Sequence, residues 1–313
     1  MRKAAQASST LCSREHGLTH YYASDTYVEA YRKLGKACSW LDALGIEYSR
    51  TRIGRYEKIF GALARHQLAG TLDAFYDEHS FESWVNAAHE VAELVRMYEG
   101  LSGQFDPSLI GRLKDSLKGQ ELYVLDSENR SGRDFSFELA TAAKFVNAGF
   151  AVDFGHDADL KVQMNGFTFF VECKRLKSIQ KIQRRIKDGL DQLHKRYVKS
   201  ENPSTARGML ALSIGKMVNE KLGLLEGNDH KALGTQAFAH NRAFVEKYKT
   251  YWQSKPDRRT LGVAIILDTP GIITFSKQLV ICHEVTVNNS VPVNTPDQTL
   301  LLQIADHVFS KRR

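Results

Sequence analysis

The dipeptide Asn165-Gly166, set between two apolar segments, constrains this chain more than any other feature. A two-residue type I′ turn needs positive φ at both central positions, and Asn-Gly adopts it most readily. Residues 159–164 and 167–173 are therefore expected to fold back on each other as antiparallel strands. With residue 164 paired to 167, counting outward sets Asp159 opposite Glu172 and Asp157 opposite Lys174. Strand side chains alternate, so all four would project from one face of the hairpin. Directly opposed Cβ atoms lie only ~4.5–5.5 Å apart, where two like charges repel. A divalent cation offsets that repulsion, and facing carboxylates are donors that a hard ion such as Mg²⁺ takes. The bland alternative is a solvated surface with Lys174 pairing Asp157. Phe167, Phe169 and Val171 on one side and Phe170 on the other argue instead for charges emerging into a cleft.

The elements around the hairpin follow from periodicity. Asp25 is placed to cap a helix with Tyr27, Tyr31, Leu34, Cys38, Leu41 and Leu44 at helical spacing, ending at Gly45. Helices are predicted at 52–67 and at 81–98, and Asp106-Pro107 opens another. Residues 1–126 thus read as a helical region for packing, oligomerisation, recognition or regulation, with residues 1–20 polar. The turn-rich stretch Ser127–Gly132 marks the boundary to a second domain, 127–313. A helix over 134–148 is expected there, then strands at 150–154, 159–164 and 167–173, a helix over 178–198 and a strand at 207–214. A helix near 229–252 and strands near 261–267 and 278–286 complete an α/β domain.

Asp159-Leu160, a hairpin, then Val171-Glu172-Cys173-Lys174-Arg175 resembles the Asp…(Asp/Glu)-x-Lys signature of the PD-(D/E)xK nuclease superfamily. The order helix, three strands, helix, strand is similar to its shared core. Phe137-Glu138-Leu139 resembles the helix that adds a glutamate to the metal site in many members. The resemblance covers roughly residues 132–215. It implies a restriction-endonuclease-like fold (α-β-β-β-α-β) and a Mg²⁺-dependent nuclease, with Mn²⁺ as a substitute. Asp159, Glu172, Glu138 and the main-chain carbonyl of Cys173 would hold the ion, and Lys174 would orient the attacking water or balance charge at the phosphate. Two departures stand out: Ala158 replaces the proline that names the motif, and Gln192 precedes Tyr197 by five residues, so neither of those two receives a catalytic role. Most of the superfamily cuts DNA as endonucleases, and restriction or antiviral defence extends the same analogy. The alternatives are a silent nucleic-acid-binding or scaffolding protein that keeps the fold, and a nuclease for RNA or branched DNA.

Charge bears on the partner. The net charge of +7 divides into −2 for residues 1–130 and +9 for the rest. After Lys174 the apolar residues Leu176, Ile179, Ile182, Ile186, Leu190, Leu193 and Tyr197 recur as one stripe, which turns basic faces outward. Arg175, Lys177, Lys181, Arg184 and Arg185 are the expected contacts to a phosphate backbone, DNA before RNA. Double-strand cleavage favours a homodimer or two sequential nicks, and the N-terminal helices are a candidate surface for a partner protein. No apolar run approaches the ~20 residues that cross a bilayer, so no membrane association is expected, and the start of the chain lacks a secretory signal; the expected location is cytoplasmic. Cys12, Cys38, Cys173 and Cys282 lack ligand spacing, His156 reads as a solvent-facing loop residue, and no Gly-rich phosphate loop occurs.

Overall fold

The computed structural model describes residues 26–126, 132–155, 157–254, 257–276 and 278–309. Five helices come first: α1 (Tyr27–Ala43), α2 (Arg52–Ala69), α3 (Leu72–Glu78), α4 (Phe81–Leu101) and α5 (Pro107–Ser116). The cap expected at Asp25 falls outside the described residues; Thr26 takes the N-cap position, its hydroxyl accepting from the Glu29 amide. At α5 the expected cap forms, with the Asp106 carboxylate accepting from the Ser108 amide and Pro107 in the first turn. The short α3 was not anticipated. It buries only Phe75, so its seven residues carry no amphipathic period.

The junction expected at Ser127–Gly132 lies outside the described residues except for Gly132, which begins α6 (Gly132–Asn147). Then come β1 (Ala151–Asp153), β2 (Leu160–Met164), β3 (Phe167–Arg175), α7 (Ile182–Lys199) and β4 (Ala206–Ser213), the order read from the sequence. The remainder comprises α8 (Gly215–Val218), β5 (Leu225–Gly227), α9 (His230–Tyr248), α10 (Thr250–Gln253), β6 (Thr260–Ile273), β7 (Gln278–Asn289) and α11 (Pro296–Ile304). The three-residue β5, the four-residue α8 and α11 are additions to the predicted set. Among the described residues no helix is long and apolar enough to cross a membrane.

The seven strands form one mixed sheet in the order β1-β2-β3-β4-β6-β5, with β7 on the other edge of β6. The hairpins β1-β2-β3 and β6-β7 are antiparallel, while β3, β4 and β6 run parallel. Asn165 (φ 50°) and Gly166 (φ 81°) make the left-handed turn, and pairing runs from Met164 with Phe167 to Leu160 with Val171. That is the expected register. It stops one residue short of Asp159.

Alternation on β3 sorts its side chains between two cores. Phe169, Val171 and Cys173 face α6 and the N-terminal helices, in a cluster that also holds Leu34, Tyr56 and Leu109. Phe170 packs on the other side with Ile186 and Leu193 of α7 and Phe244 of α9. At ~1.5–3 kcal/mol for each large apolar side chain buried, both clusters fix the sheet firmly between its helices. Gly189 lets α7 sit low on β3 and β4, because a Cβ there would lie 2.5 Å from Leu210 and 3.4 Å from the Lys174 stem. One apolar residue departs from the predicted stripe: Ile179 is 62% exposed, because Ile179–Lys181 form a 3₁₀ turn and α7 begins only at Ile182.

Candidate active site

Glu172 and Lys174 leave β3 on the α7 side, at the carboxyl end of the parallel strands, where open α/β sheets place their ligand crevices. Past Leu160 the β2 ladder no longer covers β3, and the Cys173 amide would lack a partner. The Asp159 carboxylate takes that amide, N to Oδ2 being 2.7 Å. This brings Asp159 against the pair on β3. Lys174 Nζ donates to the Cys173 carbonyl at 3.0 Å and stands 3.4 Å from both Asp159 Oδ2 and Glu172 Oε2.

Two arginines that the sequence reading did not single out complete the arrangement. Arg196 of α7 donates through Nε to Glu172 Oε1 at 3.2 Å and through a terminal nitrogen to the Asp157 carbonyl at 2.6 Å. Arg112 of α5 donates to the carbonyls of Asp159 (2.6 Å) and Ala158 (3.2 Å) and stands 3.6 Å from Glu138 Oε2. Glu138 is buried on α6 and meets the β3 group through Arg112. Arg196 had one legible signal, its place on the basic helix. Arg112 had none, since nothing in a sequence foretells which helix of a preceding segment packs beside a strand end.

Asp157 departs from the expected geometry. Its side chain is 83% exposed and 3.8 Å from Arg196, and Lys174 turns to Asp159 and Glu172 instead. The cause is the early end of β2, which releases residues 157–159 from strand alternation. His156 lies outside the described residues. Tyr197 is a core residue, its hydroxyl bonded to Thr260 at 3.0 Å.

Electrostatics distinguishes the members. Burial pushes the Glu172 carboxyl up to about 7, helped by the Asp159 charge and resisted by Lys174 and Arg196. For Lys174 burial works against the ammonium, but Asp159 and Glu172 outweigh it and its pKa is raised, so it stays charged. The Cys173 thiol, buried beside those carboxylates, is raised well above its ordinary value, which removes thiolate chemistry.

The five basic residues expected to meet phosphate divide in two. Arg175 projects opposite to Lys174 and is buried, its guanidinium 2.6 Å from Asp126 and 3.5 Å from Asp134. Lys177 joins the same group, 3.1 Å from Asp134 and 3.6 Å from Asp126. These two serve the interior and leave the phosphate-facing set. Lys181 and Arg184 are exposed and Arg185 is half-buried at the edge of the buried stripe.

For a divalent ion the donors fit and the spacing is set by another cation. Three oxygens, from Asp159, Glu172 and the Cys173 carbonyl, surround the Lys174 ammonium at 3.0–3.4 Å, whereas Mg²⁺ draws its ligands to ~2.0–2.1 Å. Accordingly, among the described residues no three His, Cys, Asp or Glu side chains stand as close as one ion would hold them. Comparison of the chain with family models, curated proteins and solved structures gives no match.

Proposed function

We propose that the chain is a Mg²⁺-dependent nuclease with a restriction-endonuclease-like core that hydrolyses phosphodiester bonds, acting on DNA as an endonuclease. The observation that supports this reading is the convergence of Asp159 Oδ2, Glu172 Oε2 and the Cys173 carbonyl on the Lys174 ammonium, a cation held by three oxygens that could also serve a metal ion. Hydrolysis of a phosphodiester requires a nucleophilic water and stabilisation of charge on the phosphate. A bound Mg²⁺ supplies Lewis-acid activation for both. Asp159, Glu172 and the Cys173 carbonyl would hold it, with Glu138 contributing from α6. Lys174, freed from those oxygens, keeps its proton and places a positive charge against the scissile phosphate or the attacking water. Lys181, Arg184 and Arg185 supply a basic approach for the backbone. A cytoplasmic DNA target, and restriction or antiviral defence as its setting, extend the same reading.

The test is plasmid cleavage by the purified protein with and without Mg²⁺, beside Asp159→Ala. Mg²⁺-dependent nicking that disappears in the variant supports the assignment; full activity in Asp159→Ala removes it. A second reading has one observation in its favour: Lys174 and Arg196 already neutralise Glu172, which suits a protein that binds nucleic acid without turnover. Salt-sensitive DNA binding with no cleavage in Mg²⁺ or Mn²⁺ would select it. Single-stranded, branched and RNA substrates in the same assay define the substrate.

A further inference from the structure

Residues 157–159 enter the site without strand pairing, yet all three of their carbonyls are occupied. Arg196 binds the Asp157 carbonyl from the α7 side, and Arg112 binds those of Ala158 and Asp159 from the α5 side. Each guanidinium also faces one acidic side chain: Arg196 meets Glu172 at 3.2 Å and Arg112 meets Glu138 at 3.6 Å. The two therefore form a clamp with the loop between them. Ala158, fully buried at its middle, is packed into the α7-side core and leaves no room for the loop to shift inward.

We infer that Arg112 and Arg196 are positioning residues that set Asp159 against Glu172, so that the N-terminal helical segment supplies an integral part of the site through α5; this rests on the nuclease reading. Planarity is what the role requires. A guanidinium presents several N–H donors in a fixed fork and can hold carbonyl and carboxylate together, whereas an ammonium is a point charge on a flexible stem. Lysine at either position keeps the charge and loses the fork. Neither arginine contacts the point where the three oxygens converge. Their effect on the chemistry passes through the backbone of residues 157–159 and the orientation of Glu172 and Glu138.

The experiment compares the full-length protein with Arg112→Lys and Arg196→Lys in two measurements. Hydrogen exchange reads the amides of residues 157–161 against those of α9 as an internal reference. Plasmid cleavage in Mg²⁺ reads kcat and KM separately. Expected are at least tenfold faster exchange confined to the loop and at least a tenfold fall in kcat, with KM within twofold of the parent. A merely structural arginine would lower global stability and speed exchange in α9 as well, leaving kcat of the folded fraction unchanged. Loop exchange within twofold of the parent, or a freed loop with kcat unchanged, would overturn the inference. Should Arg112→Lys not fold, Arg196→Lys carries the same test from the α7 side. If the parent does not cleave, the nuclease reading fails on its own, and the exchange measurement still decides whether the clamp exists.

Discussion

Two groups of buried charge in this molecule use the same residue types and hold them differently. Glu90 of α4 lies between Arg52 of α2 and Arg133 of α6, all three almost fully buried, with Arg52 Nε 2.9 Å and Arg133 Nε 2.5 Å from separate carboxylate oxygens. The remaining guanidinium donors reach main-chain carbonyls of Lys118 and Glu121 at 2.6 and 2.9 Å. Burial opposes the Glu90 charge, yet the two arginines outweigh it and hold its carboxyl far below the usual carboxylate range. Around Asp159, Glu172 and Glu138 the contacts to Lys174, Arg196 and Arg112 are 3.2–3.6 Å and burial wins at Glu172, whose carboxyl is raised to about 7. Short, saturated pairing marks a fastener between helices. Loose pairing around a reluctant carboxylate is what the proposed metal site would need.

The largest expected effect breaks the loose group without touching the fastener. Lys174→Ala or Asp159→Ala should lower Mg²⁺-dependent cleavage by on the order of 10³-fold or more, about 4 kcal/mol of barrier, with the circular dichroism spectrum unchanged. Cleavage within tenfold of the parent would place the chemistry elsewhere. Breaking the fastener should do the reverse: Glu90→Gln strands two buried guanidinium groups and should cost about 3–5 kcal/mol of stability, read as a lowered urea midpoint. Glu172→Gln, by contrast, removes a charge that burial disfavours and should leave stability equal or higher. If both variants lose stability equally, the contrast drawn between the two groups is wrong.

Acid titration sharpens the same comparison with opposite signs. The folded-state pKa of Glu90 is depressed, so its contribution is present above the unfolded carboxylate value, ~4.3, and is lost as pH falls through the folded value. The folded-state pKa of Glu172 is raised, so ionising it penalises the fold as pH rises from ~4.3 toward about 7. Parent and Glu172→Gln should therefore have equal melting temperatures near pH 4 and diverge by pH 8, with the variant the more stable. Mn²⁺ affinity of the parent should rise over the same interval, because the ion competes with the proton on Glu172. A constant difference in melting temperature across that range would contradict the burial penalty.

How much of this was legible depended on how local its cause is. Asn165-Gly166 fixed the turn and the register from two residues, and alternation then placed Glu172 and Lys174 on one face. The same alternation puts Arg175 on the opposite face, where Asp126 and Asp134 neutralise it; its expected place among the phosphate contacts fails because β3 extends to residue 175. Asp157 was misplaced because hairpin arithmetic assumes a ladder that continues, and here side chains from α5 and α7 take over its carbonyls. Arg112 and the Glu90 fastener depend on contacts between segments far apart in the chain, which periodicity does not encode. The helical stripe of α7 was readable, except at Ile179, where a 3₁₀ turn shifts the phase.

The smallest effect concerns the basic residues that remain on the outside. Arg184 is 80% exposed at its side chain and 3.8 Å from Asp188 one turn on, a pair worth only ~0.3–0.5 kcal/mol. Arg184→Gln should therefore leave the urea midpoint unchanged within error while removing one phosphate contact. The slope of log affinity against log salt should fall by ~0.9 for duplex DNA, with about a few-fold weaker binding at low salt. Arg175→Gln should do the opposite, costing stability through loss of the short ion pair to buried Asp126 and leaving the salt slope of the folded protein as it was. An Arg175 variant that lowered the salt slope while keeping full stability would return that residue to the nucleic-acid surface and unseat the division between interior and exterior cations.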